Sequence, residues 1–219
     1  MGLLLTTVFF SISAPNEPWA WLATTVILAA SLMVAMLASG ARTKAVRGGM
    51  VLAAIGIGVS VAIALTQAGG DARRYLSVTS LLLTLLAMGA IVRRVRLHAE
   101  ISMLTVLGAV CFYVLLGLSF AFVFECVGEF GPRPFFTAHE AGTRSDYMYF
   151  SFITMATVGY GDLTAQGGLG RALAVSEGLV GQIYLVTTVA ALVGNLGRTR
   201  APLEEIDDGA PEEDETGSG

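Results

Sequence analysis

The chain has 219 residues, of which 54% are hydrophobic and 14% charged, with a mean hydropathy of +0.71. Soluble domains carry roughly 25% charged residues, and here the apolar residues come in long runs, so an all-α integral membrane protein is expected. The net charge of −4 is misleading. Eight of the 17 acids (Glu204, Glu205, Asp207, Asp208, Glu212, Glu213, Asp214 and Glu215) crowd into the C-terminal tail, and the remaining 9 face 13 basic residues. The chain has only two histidines, His98 and His139, and two cysteines, Cys111 and Cys126. They form no metal-ligand or Ser/His/Asp pattern, so no enzyme, resident cofactor or nucleic-acid partner is expected. If both cysteines lie on one helix, their 15-residue separation is about 22 Å, beyond disulfide reach.

In chain order, Gly2 to Ala14 is apolar but short. It makes about 20 Å of helix, either a thin span or an interfacial helix. It lacks the basic start and processing site of a secretory signal. Five stretches then approach the roughly 20 apolar residues that a crossing needs: Trp19–Ser39, Met50–Ala68, Tyr75–Val92, Ile101–Phe124 and Leu169–Leu196. The first four contain no charged residue, while the fifth holds Arg171 and Glu177. Basic clusters at Arg42, Lys44 and Arg47, at Arg93, Arg94 and Arg96, and at Arg198 and Arg200 fall on one face if the spans alternate. That face should be cytoplasmic, together with the disordered acidic tail. The expected domains are N-terminal helices over 1–97, a second unit over 98–200 and the tail over 201–219. Arg73, Arg74, Arg93, Arg94 and Arg96 bracket Tyr75–Val92 without entering it. A voltage sensor needs charge within the field, so weak intrinsic voltage dependence is expected.

Chemistry concentrates between the last two spans. A polar stretch, Glu125 to Arg144, precedes a short apolar run over 146–156, with Ser145 or Asp146 placed to cap a helix. Eleven residues reach about 17 Å, enough to enter a membrane and not to cross it. Thr157-Val158-Gly159-Tyr160-Gly161-Asp162 follows. Irregular backbone at membrane depth survives only when buried in protein or lining a wet cavity. Glycines spaced by one residue open dihedrals at alternate positions that are closed to other residues.

The run Thr154 to Thr164 (TMATVGYGDLT) resembles the potassium channel family, in particular its prokaryotic single-pore members. Thr-Val-Gly-Tyr-Gly is that family's filter pentapeptide, so its chemistry comes from the resemblance and not from the spacing. The resemblance covers about Glu100 to Arg198. It implies a multi-span helical bundle ending in outer helix, pore helix, filter and inner helix. It also implies carbonyls of Thr157, Val158, Gly159 and Tyr160 as potassium ligands, with Gly161 and Asp162 closing the outer mouth. One filter segment per chain implies a homotetramer in a lipid bilayer, potassium being the permeant ion. Where some members carry a carboxylate behind the filter, this chain has Ile153, so Asp162 needs another partner such as Tyr149. Ala165 stands where a proline is frequent. Gly181 falls at the family's hinge position, which places Gln182, Leu185 and Val189 towards a cavity, and Glu177, near the outer interface, is equally a gating candidate or a structural hydrogen-bond partner. As a glycine in a membrane helix, Gly181 is more often a close-packing site.

The expected function is passive, potassium-selective conduction across the cell membrane. A membrane subunit of a potassium uptake transporter and a non-conducting sensor or scaffold are the alternatives. Uptake systems carry several diverged filters in one long chain, and nothing in this filter looks degenerate.

Overall fold

The computed structural model describes residues 2–13, 23–24, 26–27, 29–31, 54, 58, 61–62, 70–97, 103–137 and 142–198. The expected spans Trp19–Ser39 and Met50–Ala68 fall largely outside these residues. His98, His139 and the acidic tail fall wholly outside them. Every regular element described is helical: α1 (Gly2–Ser13), α2 (Gly70–Leu97), α3 (Met103–Phe130), α4 (Arg144–Met155) and α5 (Gly167–Arg198). Two stretches among the described residues are long and apolar enough to cross a membrane, Val106–Phe130 in α3 and Gly167–Gly194 in α5. Leu4–Ser13 and Arg74–Gly89 are shorter apolar helices.

Helix α2 packs along α3 through small residues. Ser77, Ser80, Thr84 and Ala87 are buried at spacings of three and four beside Leu76 and Leu83, and the Thr84 hydroxyl donates to the Ser80 carbonyl at 2.8 Å. Small side chains let two backbones approach closely, which is how helices associate where lipid supplies no hydrophobic drive. Arg74 ties the two helices together, its Nε donating to the Glu129 carbonyl at 3.0 Å and its guanidinium lying over the Phe130 ring. Helix α1 packs against α4 and α3, where Leu4 joins Leu115, Leu118, Phe122 and Met148 in one core. The Ser145 hydroxyl donates to the Ile12 carbonyl at 2.7 Å, so α1 ends on the first turn of α4.

Several sequence-based boundaries need correction. Helix α3 does not stop at Phe124 but runs to Phe130, so part of the expected polar stretch is helical. Glu125 continues the helix because Arg144 neutralises it, Nε to Oε1 at 3.2 Å, with both side chains buried and the guanidinium over Phe122. Helix α4 starts at Arg144, and its cap is Thr143 rather than Ser145 or Asp146. Asp146 N–H donates to Thr143 Oγ1, and Thr143 N–H donates back to Asp146 Oδ2 at 2.8 Å. This reciprocal box satisfies two otherwise orphaned donors. Cys111 and Cys126 are both on α3 and both free.

Candidate functional site

Helix α4 delivers the chain to the glycine-rich hexapeptide. Tyr147 and Phe150 on its outer side pack with Phe120, Phe124, Phe135 and Phe136, ring centroids 4.9 to 6.1 Å apart in mostly tilted and edge-on pairs. Such pairs add about 0.5–1.5 kcal/mol each beyond simple burial, which makes this cluster a stiff wall behind α4. The helix ends at Ala156, whose N–H still donates to the Phe152 carbonyl.

Beyond it the backbone alternates. Thr157, Gly159 and Gly161 have φ of 57°, 49° and 82°, and the residues between them do not share the positive sign. For Thr157 the left-handed conformation costs about 1–2 kcal/mol. It is held there by its N–H bond to the Thr154 carbonyl at 3.0 Å. The N–H groups of Val158 and Gly159 both donate to the Ile153 carbonyl, at 2.9 and 3.3 Å. Ile153 thus supports the segment through its backbone.

The carbonyls of Thr157 through Gly161 accept no hydrogen bond among the described residues. The segment is open to the outside of the single chain, with Val158 49% and Tyr160 72% exposed. Added side chains at Gly159 or Gly161 would meet nothing within 4 Å, so only the positive φ selects glycine there. A row of unpaired carbonyls on an exposed strand can serve a cation stripped of water.

The far end is stapled. The Tyr149 phenol lies beside the Asp162 carboxyl. Ala165 pairs with Phe136 in an antiparallel bridge. Gln166 N–H donates to the Phe135 carbonyl, Thr137 N–H donates to the Thr164 carbonyl, and the Thr137 and Thr164 hydroxyls lie 2.6 Å apart. Arg171 Nε reaches the Ala165 carbonyl at 3.4 Å.

The α5 residues divide. Gln182, Leu185 and Val189 lie on open surface, whereas Gly181 is buried. A Cβ at Gly181 would stand 2.7 Å from Met155 Cγ, so this glycine is a close-packing point against the end of α4. Glu177 is fully buried, its Oε1 2.5 Å from the Ser151 hydroxyl. The ion pair Glu125–Arg144 and the junction at Gly117 escaped the sequence reading. Nothing in their spacing marks them, because their partners lie 19 and 34 residues away.

A family model described as an ion channel (Ion_trans_2) matches residues 105–197, from the start of α3 to the end of α5. No curated protein and no solved structure matches the chain. The family match and the two long apolar helices support an ion channel in a membrane.

Proposed function

We propose that the chain is one subunit of a homotetrameric, passive, potassium-selective channel. The observation that carries this reading is the exposed segment Thr157–Gly161, with its alternating positive φ and its unengaged carbonyls at the end of a helix too short to cross. Four such segments around one axis would stack rings of oxygens from Thr157, Val158, Gly159 and Tyr160. Those rings replace the water shell of potassium, and ions at successive sites repel one another onward. The carboxyl end of α4 adds partial negative charge at the inner end of the row, equivalent to about half an elementary charge. Tyr149 and Asp162 brace the outer mouth, and Gly161 completes the turn. Gln182, Leu185 and Val189 would line the water-filled vestibule below. The expected setting is the cell membrane, crossed several times, with the acidic tail in the cytoplasm.

Reconstituted protein recorded under asymmetric potassium and sodium is the test. The current should reverse near the potassium equilibrium potential. Gly159→Asp should insert and assemble but pass no potassium. Selective flux through that variant, or a wild-type reversal that ignores the potassium gradient, overturns the reading.

A further inference from the structure

Three helices meet at one point behind the proposed filter. Ser151 of α4 is wholly buried, its hydroxyl 2.7 Å from the Gly117 carbonyl of α3 and 2.5 Å from Glu177 Oε1 of α5. One turn further along α4, Met155 fills a notch between two glycines. A Cβ at Gly117 would stand 2.8 Å from Met155 Cε, and one at Gly181 would stand 2.7 Å from Met155 Cγ. Ser151 and Met155 are four residues apart, and so are Glu177 and Gly181. The polar contact and the steric contact are therefore consecutive rungs between the same two helix faces.

Counting protons decides the state of the acid. A serine hydroxyl has one hydrogen to donate, and a carbonyl and a carboxylate are both acceptors. Both contacts are hydrogen bonds together only if the Glu177 carboxyl brings its own proton and donates to Ser151 Oγ while Ser151 donates to Gly117. The other oxygen, Glu177 Oε2, is buried with no partner among the described residues. A neutral acid tolerates that far better than an ion does in an apolar setting.

We propose that Glu177, as the neutral acid, is a positioning residue that fastens α5 to α4 through Ser151 and so holds the 157–161 backbone in place. Its effect on conduction rests on the channel reading above, whereas the hydrogen bond itself does not. Any bend of α5 at Gly181 then pulls on the pore-facing end of α4 through both rungs.

The test uses the full chain in liposomes. Infrared difference spectra between wild type and Glu177→Gln should show a protonated-carboxyl stretch that the variant lacks, and Ser151→Ala should shift that band. The glutamine amide can donate to Ser151 as the acid does, so potassium flux through Glu177→Gln should decay in low potassium at a rate within about twofold of wild type. Decay should be about fivefold to tenfold faster in Ser151→Ala and Glu177→Leu, the scale of one lost buried hydrogen bond. Should Glu177→Leu fail to assemble, Ser151→Ala, which removes a single oxygen, decides. The proposal falls if Glu177→Gln removes no protonated band, or if Ser151→Ala leaves both band and decay unchanged. A wild type that passes no potassium would overturn the channel reading, and the infrared comparison would still decide the bond.

Discussion

Helices α3 and α5 are both long and apolar, yet they find their partners in different places. In α3 the most apolar stretch has a mean hydropathy of 2.4 and 44% of its residues are buried within the chain, against 1.4 and 11% in α5. Greater hydropathy alone does not produce this contrast. Helix α3 is enclosed by α1, α2, α4 and one side of α5, whereas among the described residues α5 meets its own chain along one stripe through Gly170, Leu173, Ala174, Glu177, Gly181 and Tyr184. Many of the other described residues of α5, Leu179, Ile183, Val186 and Val193 among them, are exposed. One helix is largely covered by its own chain; the other keeps a broad apolar face exposed.

This contrast can be broken most forcefully at the buried ion pair of α3. Arg144→Met should strand Glu125 as an uncompensated buried charge and cost about 3–5 kcal/mol, read as a lowered melting temperature in detergent. Adding Glu125→Leu should recover most of that loss, and failure to recover would mean that the pair specifies the fold rather than offsetting its own burial. Next in size, Phe124→Ala empties the centre of the aromatic wall and should cost about 3–5 kcal/mol by the same assay, at the lower end if the neighbouring rings close in. On α5 the expected outcome changes in kind. Ile183→Ala with Val186→Ala should leave the melting of the single chain nearly unchanged and shorten the lifetime of the proposed tetramer in cross-linking. If the melting temperature falls instead, α5 is integral to the subunit core and the comparison fails. Smallest, Tyr149→Phe removes the hydroxyl beside Asp162, an expected loss of about 1 kcal/mol, and should speed the loss of conduction through the proposed channel about fivefold.

Local signals in the sequence were enough to find the described helices but not to place all their ends. The short helix before the glycines and the long final helix follow from apolar length, and both exist as α4 and α5. The end of α3 was misplaced because Glu125 looks like a terminator when Arg144, 19 residues on, is not known to be its counter-ion. The cap of α4 was misplaced because Thr143, Ser145 and Asp146 are all capping types in one short run. Only the reciprocal Thr143–Asp146 geometry selects one, leaving Ser145 free to reach Ile12. Glu177 was legible as an unusual residue in an apolar helix. Which way it faces depends on the register of α5 against α4, set by the fit of Gly181 to Met155.

The bond from Ser145 to Ile12 joins residues 133 positions apart. Helix α1 is synthesised well before its docking platform, which lies 133 residues further along the chain. Until α4 is made, α1 stands without its mate, so a defect in α1 would be felt late in maturation, when α4 seats.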